Sequence, residues 1–288
     1  MGNKIMNEQQ TLKIYHISKR VSPFTPASTE GDFISGTSRV FNENKIDVRV
    51  FLPRYGYISE RKFILREVIR LKDIEIEIGG KKYLSCVKSA FIPDSRVQVY
   101  FNVFPEFYRD ISRQVTSNYM EPKNPNIYKA FLTYAFTALN TLERLYWQPD
   151  IILCYGWHTA MVPILIKGLL KDHDWFNKSR IVTILSRDEP FYAFPENILK
   201  EFHVEDNANL FAQAGSFLEQ ALRTSDGIVM LNSKKEDKLG DLLKLKQIKQ
   251  ILSDKKEHYR VFNINSSTDN NEFWGPIAKE LYEFLDIL

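Results

Sequence analysis

The chain has 288 residues, 44% hydrophobic and 26% charged, which is close to the average soluble globular protein and far from a disordered one. Thirty-nine Lys and Arg against 36 Asp and Glu leave a net charge of +3, too balanced to imply a nucleic-acid partner. Twelve Gly and twelve Pro exclude collagen-like or proline-rich material, and two cysteines, Cys86 and Cys154, are too few for a disulfide framework or a structural zinc site.

The first ten residues (MGNKIMNEQQ) are polar and carry no apolar signal core. Met1-Gly2 matches the start of a myristoylation signal, but Met6 stands where that signal needs Ser or Thr. Thr11 to Ile17 reads as a short buried strand, and Ser22 to Thr29 is a loop rich in Ser, Thr and Pro. A helix is predicted from about Asp32 to Glu43, with Asp32 able to cap it, and Ile46 to Pro53 is the next strand. Strand, helix and strand in this order favour a parallel sheet with right-handed crossovers.

Residues 62–103 change character. Arg66 to Ile78 alternates in its second half, Gly79-Gly80 is a hairpin signal, and KKYLSCV and RVQVYFNVF follow. This predicts a small antiparallel insertion.

Asn124-Pro125 reads as an N-cap and first helical position. Tyr128, Phe131, Leu132, Ala135, Leu139 and Leu142 then keep helical spacing until Gln148-Pro149. Asp150 to Cys154 is a buried strand, with a helix starting near His158. The apolar run Ala160 to Leu170 is broken by Pro163, Lys167 and Gly168 and is shorter than the ~20 residues a bilayer needs. Ile181 to Leu185 and Gly227 to Leu231 read as strands, Asn209 to Leu222 and Ser233 to Ile251 as helices. Ser266 to Asn271 reads as a linker. Ile277, Leu281, Phe284, Leu285 and Leu288 form the apolar stripe of a final helix.

These elements predict an α/β fold: a doubly wound, Rossmann-like parallel sheet with an antiparallel β-hairpin insertion. The expected organisation is a frayed stretch over 1–10, one domain over 11–257, and over 258–288 a linker and an amphipathic helix that packs back on the domain. Ligands in such folds sit at the carboxyl ends of strands, beside helix N-termini. Three loops qualify: Lys19 to Asp32, Tyr155 to His158, and Ser186 to Phe194.

Several segments then carry a resemblance: VRVFLPRYG (Val48 to Gly56), PDIILCYGWHTAMVP (Pro149 to Pro163), FLEQALRTSDGIVMLNS (Phe217 to Ser233) and SPF (Ser22 to Phe24). In that order the chain resembles the N-terminal half of the ADP-glucose-type glycogen and starch synthases over roughly residues 12–240. Those are retaining glucosyltransferases with two Rossmann-like domains facing across a cleft, the arrangement called GT-B. The resemblance implies that Asp32, Trp157 and His158 stand at substrate-binding positions, with His158 against the glucose.

It also marks departures. The family's first loop carries Lys-Thr-Gly-Gly, whose lysine touches the nucleotide-sugar phosphates. Pro26, Ala27, Ser28 and Thr29 stand there, and Pro removes a backbone donor as well. Arg20 replaces an acidic residue. Leu185 and Ser186, followed by Arg187, Asp188 and Glu189, stand where the family has a loop that opens on His-Asn, and Leu153 to Gly156 replace all but the Trp-His end of a His-rich run. Ser28, Thr29, Arg187, Asp188 and Glu189 are thus the residues of an altered site. The family's second domain is not expected within the residues after 240.

The expectation is a glycogen/starch synthase-like domain without independent glucosyl transfer that acts in binding or regulation. Two alternatives stay open: a glucosyltransferase subunit completed by a partner chain, and a carbohydrate- or nucleotide-binding module. ADP-glucose or a glucan is the expected ligand, and a protein is the expected partner over an exposed half-cleft. No cofactor, metal, nucleic acid or membrane is expected, and the cytoplasm is the expected compartment. Cys154 and His158 are spaced like a nucleophile and its base, but a cysteine ending a buried strand packs as a small hydrophobe, so no catalytic residue is assigned. Arg54-Tyr55-Gly56 reads as structural, and the lysines 244, 246, 249, 255 and 256 as a solvated face.

Overall fold

The computed structural model describes residues 11–111, 126–186, 216–233, 242–264 and 271–288. In chain order these form β1 (Lys13–Ile17), α1 (Thr29–Glu43), β2 (Asp47–Pro53), α2 (Glu60–Phe63), β3 (Arg66–Glu67), β4 (Ile74–Ile78), β5 (Lys81–Phe91), β6 (Gln98–Val103), α3 (Pro105–Tyr108), α4 (Asn126–Arg144), β7 (Ile151–Tyr155), α5 (Met161–Lys167), β8 (Arg180–Leu185), α6 (Phe217–Thr224), β9 (Gly227–Ser233), α7 (Lys246–Asp254), β10 (Tyr259–Ile264) and α8 (Asn271–Asp286).

The strands share one sheet in the order β10-β9-β8-β7-β1-β2-β6-β5-β3, with β4 paired to β5. All pairs from β10 to β6 are parallel, and β5 runs antiparallel to β3, β4 and β6. The strands near the centre are apolar almost throughout because helices cover both faces. Alternation sends Tyr15, Ile17, Ile152 and Cys154 to the face under α4, α5, α6 and α7. Ile14, Ile151, Leu153 and Tyr155 point to the face under α1 and α8. The α/β, doubly wound class read from the sequence is therefore the fold observed.

Local chemistry moves several boundaries. α1 begins at Thr29, because Ser28 is its N-cap and its hydroxyl accepts the Gly31 N–H at 3.0 Å. Asp32 is thus not the cap; it sits in the first turn and accepts a hydrogen bond from the Ser22 hydroxyl. Gly79 and Gly80 do turn a hairpin, both with positive φ. The last strand of the predicted insertion, β6, instead joins the parallel sheet beside β2. α4 ends at Arg144, before Gln148-Pro149, and Tyr146 there has a φ of 52°. Residues 258–288 are more than linker and helix, because Tyr259–Ile264 adds β10 to the sheet edge. α6 is capped by Ser216 and α7 starts at Lys246, while residues 234–241 of the predicted Ser233 to Ile251 helix lie outside the described residues. The N-terminal ten residues, Asn124-Pro125, the stretch from Asn209 to residue 215, and most of the Ser266–Asn271 linker lie outside the described residues.

The final helix packs on α1 through a close fit. A Cβ added at Gly36 of α1 would lie 2.2 to 2.4 Å from indole carbons of Trp274. Trp274 is buried, and its ring meets Phe33 edge-on at a centroid distance of 6.3 Å. Leu281, Phe284 and Leu285 are buried on the same face, and Ile277 and Leu288 pack beside them.

Candidate functional site

The chain runs from β1 rightward to β2 and β6, then returns to β7 on the other side of β1 and continues to β10. The strand order therefore reverses between β1 and β7. In open α/β sheets the crevice beyond the carboxyl ends of the strands at such a reversal is where ligands bind. The residues that follow these two strands build the site.

After β7 the chain turns at Gly156, whose φ of 68° and ψ of −179° belong to a region essentially restricted to glycine. Its N–H is held by the Ile184 carbonyl at 2.8 Å. This turn leads into the single helical turn Trp157–Thr159. Trp157 turns inward against Phe131 of α4, with centroids 4.7 Å apart at 79°. Packing accounts for Trp157. His158 is 1% exposed and its Nε2 lies 2.7 Å from the Nζ of Lys19, which is itself 3% exposed. The histidine tautomer decides which of the two nitrogens donates in that contact.

After β1 the segment Ser18 to Arg20 is pinned from below. The Tyr134 hydroxyl of α4 lies 2.7 Å from the Ser18 carbonyl and 2.9 Å from that of Phe51. The Tyr55 hydroxyl donates to the Lys19 carbonyl at 3.0 Å. Gly56 beside it is required by close approach, since a Cβ there would lie 1.8 Å from the Arg109 carbonyl oxygen. The structural reading of Arg54-Tyr55-Gly56 holds, and Tyr55 also supports the lysine.

The first turn of α1 closes the third side. Glu30 is buried; Oε1 accepts from the Ser18 hydroxyl and Oε2 from the Ser186 hydroxyl after β8 at 3.3 Å. Deeper in the same face, the His16 Nδ1 and the Tyr155 hydroxyl are 2.8 Å apart with rings nearly parallel. Burial pushes the His16 imidazole down to about 3 and keeps it neutral. Burial first, and then the nearby Glu30 carboxylate, hold the Tyr155 phenol well above its ordinary value. Cys154 is fully buried and burial raises its thiol, which removes the nucleophile reading.

The structure sets His158 against Lys19 after β1, and through Glu30 it sets the first turn of α1, which follows the Ser28 cap and holds Thr29 and Asp32, beside the ends of β1 and β8. Arg187, Asp188 and Glu189 lie outside the described residues. Lys19, Glu30 and Ser18 were not singled out from the sequence. Lys19 and Ser18 directly follow a central strand, and that position was their available signal. Among the described residues no cluster of His, Cys, Asp and Glu could hold a metal ion, and no helix is long and apolar enough to cross a membrane.

The fold and site can be set against known proteins. Glycogen synthase of Chlorobium phaeovibrioides is 34% identical over 168 residues, covering 58% of this chain and 34% of the relative. Glycogen synthase of Chlorobium phaeobacteroides is 27% identical over 286 residues, covering 95% of this chain and 56% of the relative. The chain thus spans between a third and somewhat over half of the length of these curated relatives. Among solved structures, the catalytic domain of starch synthase IV from Arabidopsis thaliana, bound to ADP and acarbose, superposes with a TM-score of 0.70 at 18% identity, over 89% of this chain and 52% of that one. That likeness establishes a shared fold. The starch synthase catalytic domain family matches residues 13–235, and the chain belongs to that family.

Proposed function

We propose that this chain is a glycogen/starch synthase-like domain that binds carbohydrate at the β1/β7 crevice, serves a regulatory or binding role, and does not by itself transfer glucose from a nucleotide sugar. The observation that carries this reading is the Lys19–His158 contact of 2.7 Å at the strand-order reversal. The histidine at the position that the resemblance gives to the sugar has its Nε2 engaged by the chain's own Lys19. Transfer from a nucleotide sugar needs positive charge or a metal at the departing phosphates. Pro26 and Ala27 stand where the resemblance puts a lysine and a threonine. The Arabidopsis starch synthase IV structure holds both ADP and acarbose, and we carry over the carbohydrate class.

The test uses the full chain with radiolabelled ADP-glucose and glycogen. No incorporation is expected, while malto-oligosaccharide at about a hundred times its Kd stabilises the fold by about 2.7 kcal/mol. Glucose incorporation by the purified chain would overturn the reading. A second reading, a transferring subunit completed by another chain, draws support from His158 keeping its place after β7. It predicts incorporation that appears only with an added, co-purifying protein.

A further inference from the structure

The antiparallel insertion ends the sheet on an edge that it covers only in part. β3 is two residues long and pairs with β5 at Arg66↔Ser89 and Glu67↔Lys88. Past that pair, Ala90 and Phe91 of β5 have β6 on one side and, among the described residues, no strand on the other. The chain turns away there because α2 ends at Ile64 in the left-handed conformation, with φ 52° and ψ 51°. A β-branched residue in that conformation is strained, and Gly or Asn would adopt it at lower cost. The Ile64 side chain is 65% exposed, so core packing does not account for it.

Between this turn and β5 lies a cavity of about 290 Å³, whose lining includes Lys62, Phe63, Ile64, Arg66, Phe91 and Pro93. Phe91 is 53% exposed. Phe63 is fastened to the core by its edge-on contact with Phe24 at a centroid distance of 4.8 Å. Apolar residues exposed singly are ordinary. Two large ones flanking one cavity at a bare sheet edge form a surface suited to a partner.

Charge indicates the kind of partner. Elsewhere on the insertion the cations are matched from within: Lys72 lies 2.6 Å from Glu67, Lys82 2.6 Å from Glu75 and Lys88 2.7 Å from Glu60. Lys62 and Arg66 at the cavity, and Arg61 beside them, have no such carboxylate among the described residues, since Glu60 is taken by Lys88 and Arg54 and Glu67 by Lys72. Asp94, in the turn after Pro93, is the nearby acid left to offset three cations. A free sheet edge accepts an extended chain through main-chain hydrogen bonds, and side-chain pockets give it specificity.

We propose that this edge is a docking site for an extended acidic segment of another protein. The segment's backbone continues the sheet beside Ala90 and Phe91, an apolar side chain enters the cavity between Ile64 and Phe91, and carboxylates meet Lys62, Arg66 and Arg61. The site lies at the β3 edge of the sheet, apart from the β1/β7 crevice, and stands independently of the carbohydrate reading.

The experiment is fluorescence anisotropy of the full chain with a fluorescein-labelled peptide, Glu-Leu-Glu-Phe-Asp-Leu-Asp, whose alternation puts acids on one face and apolar groups on the other when extended. Saturable binding is expected, weakened about tenfold by combining Lys62→Glu with Arg66→Glu and weakened by added salt. Phe91→Ser and Ile64→Asn should each weaken it about fivefold or more through loss of a buried anchor. Ile64→Asn suits the left-handed turn, so its thermal midpoint should not fall; a fall would show that Ile64 serves the fold and would overturn its assignment as an anchor. No saturable binding by the wild type overturns the proposal, as does unchanged affinity in both Phe91→Ser and Ile64→Asn. Co-sedimentation with phosphatidylserine vesicles in place of peptide binding would overturn it in favour of a membrane surface.

Discussion

The fit between α1 and α8 can be tested by adding a single methyl group at Gly36. In an exposed helix interior, Gly→Ala stabilises by about 1 kcal/mol through backbone entropy. At Gly36 the new Cβ would sit 2.2 Å from Trp274 Cδ2, 2.3 Å from Cε2 and 2.4 Å from Cγ, more than an ångström inside ordinary contact. The indole cannot yield by a rotamer change alone, because it is 2% exposed and bounded by Phe33 and Phe273. Overpacking of this kind costs roughly 1–3 kcal/mol, and the severity of the overlap places it at or above the upper end. Gly36→Ala is therefore expected to destabilise by about 2 kcal/mol net of the propensity gain. Trp274→Ala alone removes the ring and costs about 3–5 kcal/mol. In that background Gly36→Ala meets open space and becomes stabilising by about 1 kcal/mol. The sign reversal is the signature, a coupling of about 3 kcal/mol at the top of the range for touching residues. Urea unfolding followed by far-ultraviolet circular dichroism measures it as a shift in midpoint at constant slope. If Gly36→Ala stabilises equally with and without Trp274, α8 does not lie on α1 at this point and the packing argument fails.

Two further predictions concern the strand ends. His16 is held at about 3 against an unfolded value of about 6.5, so the folded state stays neutral while the unfolded state takes a proton. Its contribution is fully present above pH 6.5 and is lost as pH falls from 6.5 toward 3, amounting to about 2 kcal/mol at pH 5. His16→Gln should remove that part of the loss between pH 7 and pH 5, and parallel pH dependences of the two proteins in urea unfolding would refute it. Gly156→Ala forces a side chain into a glycine-only conformation and should cost about 1–3 kcal/mol. The same substitution moves His158 away from Lys19, so sugar affinity should fall with it; a variant with wild-type stability and affinity would show that the turn tolerates Cβ.

The predictions legible in the sequence concerned short-range patterns. Buried strands showed as runs such as Ile151 to Cys154, α4 showed through its helical spacing, and Gly79-Gly80 marked its hairpin, because each is decided by neighbours within a few residues. Caps were harder: Ser28, Thr29 and Asp32 all have the chemistry of an N-cap, and the choice of Ser28 depended on where β1 and β8 left Glu30 to be bonded. β10 escaped because Tyr259–Ile264 is an edge strand whose half-buried Arg260 and exposed Val261 and Asn263 dilute its apolar signal. The sequence alone determined the α/β class, the family resemblance and the loops that follow β1 and β7. Only the tertiary structure decided the site, because Lys19 and His158 are 139 residues apart and Ser186 and Glu30 are 156 apart. Contacts at such separations follow from strand order, and the parallel register of β1, β7 and β8 sets them.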